Sequence, residues 1–186
     1  MISNDTKSLR QSAMEMGEIY FWTATINHWQ HLLWGDVYKD IIIESLEYLT
    51  NKQKIDVFGF VIMPNHIHTI WRPMELNGNE TPQSSFLKYT AHEFKKKLLK
   101  LDRDKLELFQ VDSMKKSYEF WQRDPMAIPL FRKEVAFQKL DYTHYNPLAE
   151  HWQLSTDPCE YKYSSARYYE CDEKSFPFLK DLREEF

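Results

Sequence analysis

Two histidines separated by one residue are the side chains with the clearest chemical potential in this sequence of 186 residues. His66 and His68 follow a Met-Pro-Asn turn and begin a short strand-like run over residues 66–72. Side chains alternate along a strand, so both imidazoles are predicted to share one face, with Ile67 on the other. Neutral imidazoles at this spacing can converge on one cation. The alternative is two unrelated polar residues on an exposed face, although buried histidines without a role would cost desolvation energy.

A second candidate group lies where a predicted helix over residues 131–146 ends before Pro147. Tyr142 and Asn146 are four residues apart and therefore share one face of this helix. Tyr142 is a candidate nucleophile, Tyr145 is its rival, and Asn146 could supply an oxygen ligand beside two histidines. A tyrosine at such a boundary also commonly packs its ring and leaves its hydroxyl in water. The helix alone therefore leaves both interpretations open.

The elements that must position these residues follow from the hydrophobic patterning. Segment 54–62 is apolar on both faces of the pleat, as a central strand would be. Segments 18–26 and 66–72 are further strands, and helices are predicted over 37–50, 83–101 and 131–146. The segment 102–118 is ambiguous, and 119–123 could be a short strand or an extended segment. This order predicts an α+β fold, a ferredoxin-like antiparallel sheet with helices packed on one face.

Composition excludes several classes of protein. With four glycines and no GxGxxG or Walker motif, the chain has no dinucleotide or P-loop site. No apolar run approaches the roughly 20 residues of a membrane span, and no signal-peptide pattern is present, so a cytoplasmic location is predicted. Cys159 and Cys171 lie late and apart, and we expect them to form neither a disulfide framework nor a CxxC metal site.

The distribution of charge differs from its total. The net charge of −4 argues against a nucleic-acid partner, but residues 84–133 carry twelve Lys or Arg against seven Asp or Glu. Local potential, rather than total charge, steers a polyanion. The candidates for contacts with a phosphate backbone are Lys88, Lys95, Lys96, Arg123 and Arg132. For each lysine, solubility is the alternative role. Exposed aromatic residues, with Trp121 and Tyr89 as examples, could stack on unpaired bases.

Several stretches together resemble one family of enzymes. FGFVIMPNHIHTIW (58–71) resembles the HUH motif (His-hydrophobic-His) of single-tyrosine transposases. KLDYTHYNPLAEHW (139–152) resembles the tyrosine-helix motif of the REP-associated tyrosine transposases. FWQRDPMAIPLF (120–131) and YKYSSARYY (161–169) resemble the stretches before and after that helix. The resemblance covers about residues 18–169 and rests mainly on the order and separation of MPNHIH and YxxxNP.

The resemblance implies a fold, a reaction and its residues. The fold would be a ferredoxin-like catalytic domain over residues 18–150, with a lead-in (1–17) and a C-terminal tail (151–186) that packs on or extends it. The HUH motif would lie on a central strand, and the nucleophile Tyr142 on a C-terminal helix. The metal ligands would be His66, His68 and Asn146.

The reaction that the family implies is cleavage and rejoining of single-stranded or hairpin DNA. Tyr142 would form a 5′-phosphotyrosine, with a divalent metal as cofactor. Mg²⁺ follows from the family, and Mn²⁺ is equally compatible with imidazole ligands. A homodimer and a monomer both fit the sequence. Two alternatives stay open, namely a DNA-binding protein that keeps the fold without catalysis and a metal-dependent nuclease that uses water.

Overall fold

The computed structural model describes residues 13–112 and 117–186. Most of the predicted lead-in therefore lies outside the described residues. The described elements are strands and helices interspersed along the chain, as in an α+β fold. The strands are β1 (Tyr20–Thr25), β2 (Ile55–Ile62), β3 (His66–Pro73) and β4 (Met126–Pro129). The helices are α1 (Asp36–Asn51), α2 (Pro82–Leu101), α3 (Arg103–Glu107), α4 (Lys133–Tyr145) and α5 (Ala166–Glu170).

The four strands form one antiparallel sheet in the order β2-β3-β1-β4. β2 and β3 make the predicted hairpin, and every residue of β2 is buried, as expected for a strand covered on both faces. β3 is an interior strand, so the histidine motif lies in the middle of the sheet. The register pairs His68 with Thr23 and His66 with Thr25 of β1. The α+β fold class with an antiparallel sheet is confirmed.

β4 is a strand that the sequence did not predict. Residues 119–123, the candidate extended segment, contain only an isolated bridge between Trp121 and Ile26. The strand follows them, between Pro125 and Pro129, and pairs with β1 at the sheet edge. A run of four residues between prolines carries no alternation that would distinguish a strand from a loop.

Helices cover both faces of the sheet, which corrects the expectation of helices on one face. α1 and α2 pack on the face of Trp22 and Trp71, where the ring of Phe86 lies 5.7 and 6.1 Å from the two indoles. α4 packs on the opposite face, where Leu140 joins a cluster with Phe21. An amphipathic pattern shows which side of a helix is buried but not which face of a sheet receives it. Because β2 is apolar on both faces, helices must pack on both sides of it.

Close packing of α4 on the sheet depends on Gly59. A Cβ atom at this position would lie 2.7 Å from Cδ1 of Leu140, a distance that real side chains do not adopt. The β-bulge between Val57 and Gly59 lies at the same point. The absence of a side chain at Gly59 therefore leaves room for the Leu140 side chain of α4 against the sheet.

The tail (151–186) packs along the free edge of β2. The Ser165 amide donates to the Phe60 carbonyl at 2.9 Å, and the Lys180 amide donates to the Val57 carbonyl at 2.9 Å. These bonds satisfy backbone groups that an edge strand would otherwise leave unpaired. The tail also contributes buried side chains to the clusters on both faces of the sheet, namely Tyr163, Phe178 and Leu179 on one and Leu182 on the other.

Ion pairs fasten the tail to the β2–β3 hairpin. The Asp56 carboxylate lies 2.6 Å from both Lys180 Nζ and Arg72 Nη2, and Arg72 also pairs with Glu185 at 2.6 Å. Burial of Asp56 raises its pKa, but the hydrogen bonds from Lys180 and Arg72 outweigh burial and leave the pKa below its usual value.

The two cysteines correct another expectation. Cys159 and Cys171 form a disulfide, with their Cα atoms 6.6 Å apart. The pairing was not predicted because the two cysteines are distant in sequence. The short helix α5 folds the chain back beside the turn Pro158–Glu160 and so brings them together.

The cytoplasmic location stays a prediction. Among the helices of the described ranges, none has the length and apolar character to cross a bilayer.

Candidate active site

β3 presents His66 and His68 on one face, as the alternation predicted, with their ring centroids 4.6 Å apart. Nδ1 of His66 lies 2.7 Å from Oδ1 of Asn65, and Nδ1 of His68 lies 2.8 Å from Oγ1 of Thr23. The Asn65 oxygen can only accept, so His66 carries its proton on Nδ1 and keeps a lone pair on Nε2. Nε2 of His68 is buried and has no hydrogen-bond partner among the described residues.

Both imidazoles are neutral at pH 7. Burial, followed by the nearby His151, lowers the pKa of His66 to about 4. Burial also lowers the pKa of His68 well below its usual value, with smaller contributions from His66 and Lys139. A neutral imidazole with one nitrogen held by an oxygen offers the other nitrogen as a ligand.

α4 places Tyr142 over this pair of histidines. The Tyr142 ring lies 5.3 Å from that of His68 and 6.0 Å from that of Phe21, between centroids. The side chain is 50% exposed, so its hydroxyl is open to a substrate. Lys139 Nζ lies 5.5 Å from the centroid of the Tyr142 ring. The sequence analysis missed Lys139, although its position three residues before Tyr142 on the predicted helix would have placed it on the same face.

The rival Tyr145 has less favourable surroundings for attack on a phosphate. The charge of Glu170 is the largest of the effects that raise its pKa, followed by burial and by Asp141 and Asp157. These carboxylates also repel a phosphate group.

Asn146 follows the last residue of α4 but keeps a helical backbone, with φ −55° and ψ −42°. It therefore stays on the face of Tyr142, as predicted. The side chain is buried, and its Oδ1 has no partner among the described residues. Within residues 13–112 and 117–186, no three His, Cys, Asp or Glu side chains come together to hold a metal ion.

Of these residues, His66, Tyr142, Tyr145 and Asn146 line one cavity of about 460 Å³, whereas His68 is not part of its lining. Aromatic and polar side chains line it, from the loop after β1, from β3 and from the end of α4. The lining residues are Trp29, Asn65, His66, Tyr142, Tyr145, Asn146, Ala149, His151 and Trp152. The sequence analysis singled out neither Trp29 nor Trp152.

His144 fastens α4 to the sheet and to the tail. It is buried, its Nε2 lies 2.9 Å from Oγ of Ser165, and its Nδ1 lies 3.3 Å from the Glu170 carboxylate. Ser165 Oγ in turn accepts from the Phe60 amide at 2.9 Å. Burial lowers the pKa of His144 to about 4, so its imidazole is neutral at pH 7 and shares one hydrogen bond with Ser165. This chain of bonds holds the helix that carries Tyr142.

The predicted backbone-binding residues do not gather at this cavity. Lys88, Lys95 and Lys96 lie on α2, which covers the opposite face of the sheet. Arg132 directly precedes α4, and Arg123 precedes β4. Lys88, Lys96 and Arg123 each donate to a neighbouring carboxylate, at 2.6, 2.7 and 3.1 Å. Their role in binding DNA stays a prediction.

The aromatic residues suggested for stacking are also distant from the site. Trp121 is buried, and its indole N–H donates to Thr90 Oγ1 at 2.9 Å. It belongs to the core beneath α2. Tyr89 is exposed but lies on α2, beside a different cavity.

Comparison with known proteins gives one line of support for the fold. No family model and no curated protein matches the chain. Among solved structures, the chain is similar to that of a REP-associated tyrosine transposase bound to a REP hairpin. The TM-score is 0.58 at 15% sequence identity, and the match covers 84% of this chain and 81% of the other. The two proteins share a fold over most of their lengths.

Proposed function

We propose that this chain is a metal-dependent enzyme that cleaves and rejoins single-stranded or hairpin DNA, with Tyr142 as the nucleophile. The observation that carries the proposal is the arrangement of two adjacent histidines from β3 beneath an exposed tyrosine from α4, with His66 and Tyr142 lining one cavity. The fold shared with a transposase bound to a REP hairpin supports the same class of reaction.

The residues present suit a divalent metal. The side chains that would hold it are His66, His68 and Asn146. Nε2 of His68 and Oδ1 of Asn146 are buried atoms without partners in the described structure. A cation would satisfy both when Nδ1 of His68 carries the ring proton and donates to Thr23, which leaves a lone pair on Nε2. Bound there, Mg²⁺ or Mn²⁺ would polarise a phosphate and stabilise the charge that develops on it.

The proposed reaction conserves the phosphodiester bond. The Tyr142 oxygen attacks the phosphorus in line, the bond from phosphorus to the 3′ oxygen breaks, and the 3′ oxygen leaves as a hydroxyl after gaining a proton. The phenol proton passes to water, because the side chain is half exposed. Attack by a 3′-hydroxyl on the 5′-phosphotyrosine reverses these steps and rejoins a strand.

Lys139 and His144 have supporting roles in this proposal. The Lys139 ammonium, close to the Tyr142 ring, attracts the phosphate to the nucleophile. His144, through Ser165, keeps α4 at a fixed height above β3. Positioning of this kind matters because small displacements of a nucleophile slow attack strongly.

The test is incubation with a labelled pool of single-stranded hairpin DNAs and Mn²⁺ or Mg²⁺, followed by a denaturing gel. We expect a covalent protein–DNA adduct that requires the metal. The adduct should be absent from Tyr142→Phe and His66→Ala. Tyr145→Phe is the matched control, since this tyrosine lines the same cavity and should keep the adduct.

Other results would identify the alternatives. Cleavage without an adduct would indicate a nuclease that uses water. Binding of hairpin DNA without cleavage or adduct would indicate a DNA-binding protein that lacks catalysis. An adduct that is lost in Tyr145→Phe and kept in Tyr142→Phe would reassign the nucleophile.

A further inference from the structure

Two tryptophans line the cavity that Tyr142 and His66 share. Trp29 is 61% exposed, although large apolar side chains are usually buried. Trp152 is partly buried, and its ring lies 6.0 Å from that of His66. An aromatic wall thus stands directly beside the proposed nucleophile and one of the proposed metal ligands.

The backbone holds Trp29 in an unusual conformation. Trp29 has a φ of +56° and His28 a φ of +53°, in the left-handed region that bulky residues rarely adopt. The Asn27 amide donates to Phe120 at 2.7 Å, and the Asn65 side chain donates to the Trp29 carbonyl at 3.4 Å. Core packing does not account for this conformation, because the indole is exposed. Strained residues of this kind cluster at binding sites.

We infer that the cavity between Trp29 and Trp152 binds an unpaired nucleobase of the strand that Tyr142 attacks. This inference rests on the proposed function. The scissile phosphate must reach the Tyr142 hydroxyl at the cavity wall, so the base of an adjoining nucleotide lies within reach of the two indoles. A volume of about 460 Å³ is within the range of small-molecule sites, about 300–1,000 Å³.

The chemistry of the walls indicates how such a base is recognised. Aromatic side chains stack on the faces of all four bases, so they provide affinity with little sequence preference. The cavity therefore selects strands that are unpaired at the cleavage site, because a base inside a duplex cannot enter between the indoles.

The experiment compares two probes of equal charge, a fluorescein-labelled hexamer of deoxythymidine and an abasic hexamer of the same length. Affinity is measured by fluorescence anisotropy without divalent metal. We expect the wild type to bind the thymidine hexamer more tightly than the abasic hexamer, by a factor between about 5 and about 100. Trp29→Ala and Trp152→Ala should lose most of this preference, and Trp29→Phe should keep part of it.

Trp34→Ala is the matched control. Trp34 is also 61% exposed and lies in the same loop region, but it does not line the cavity. We expect this variant to keep the preference of the wild type. Equal binding of the two probes, no binding of either, or an equal loss of preference in Trp34→Ala and Trp29→Ala would each overturn the inference.

The result can be separated from a failure of the proposed function. The same two probes are bound to Tyr142→Phe, which should keep the preference because its ring stays in the cavity wall. A wild-type protein that shows the preference but never forms an adduct would support the base site and contradict the strand-transfer chemistry. An adduct without any preference for the thymidine hexamer would do the reverse.

Discussion

The two faces of β3 are built from alternate residues of one strand, yet they differ in what surrounds them. Ile67 and Trp71 lie in a core that α1 and α2 seal. On the other face, α4 packs on a smaller hydrophobic cluster and leaves a cavity beside His66. The comparison teaches that one face of a sheet can be packed throughout while the other combines a hydrophobic cluster with a site open to a ligand.

Unpartnered polar atoms occur on both faces, and their chemistry separates the two. On the sealed face, Nε1 of Trp22 and of Trp71 is a hydrogen-bond donor, which cannot ligate a cation. On the open side, Oδ1 of Asn146 is an acceptor that lines a cavity, and Nε2 of the neighbouring His68 has a lone pair when Nδ1 donates to Thr23. An unpartnered atom indicates a ligand site only when its lone pair faces a space that the ligand can enter.

The largest expected effect is on the stability of the sealed face. Trp71 is buried, and its ring centroid lies 4.7 Å from that of Trp22. Trp71→Ala should lower the free energy of unfolding by about 3–5 kcal/mol, because it leaves a large cavity. Urea denaturation measures this change. Adduct formation per folded molecule should stay at the wild-type rate, and a loss of that rate would show that the faces are not independent.

His68→Ala should have the opposite profile. We expect adduct formation to slow by about 100- to 1,000-fold, the usual cost of removing a group that stabilises charge in a transition state. Single-turnover gels measure the rate. Thr69→Val is the neighbouring control on the sealed face, where the Thr69 hydroxyl has no partner among the described residues. If Thr69→Val slowed the reaction as much, the division between the faces would fail.

Gly59→Ala tests whether the contact between β2 and α4 affects the site on the open face. The new methyl group would collide with Leu140, so we expect a loss of about 1–3 kcal/mol in unfolding free energy and slower adduct formation. The double variant with Leu140→Ala should lose less than the sum of the two single variants, because the second change makes room. Additive losses would mean that α4 does not press on this position.

The smallest effect is expected from the ion pairs that hold the tail, which reaches both faces. The pKa of Asp56 is lowered in the fold, so its contribution is present above the unfolded value of about 4 and is lost as pH falls through the folded value. Asp56→Asn should cost about 1–2 kcal/mol at pH 7. Thermal melts should show this difference shrinking in acid; a constant difference down to the acid limit would contradict the assignment.

Local pattern was sufficient for much of this structure. Alternation in HIH placed both histidines on one face, and the interval from Tyr142 to Asn146 placed these two on one side of α4. Both deductions need only the geometry of a single element.

Features that depend on contacts between distant segments could not be predicted in this way. β4 exists because β1 offers it a partner, and Trp29 is exposed on a loop whose backbone is left-handed at His28 and Trp29. The cluster of lysines on α2 (Lys88, Lys95 and Lys96) could be recognised in the sequence. The sequence did not show that α2 covers the sealed face of the sheet. The sequence of one helix, taken by itself, does not specify which face of a sheet the helix will cover.

The cluster beneath α4 includes Leu182, which lies far beyond Tyr142 in the sequence. On the ribosome, Tyr142 emerges well before Leu182, Lys180 and Glu185 are available to seat α4 and pair with the hairpin. Such long-range contacts form late in folding. A nascent chain therefore carries Tyr142 on a helix whose packing against Leu182 is still missing.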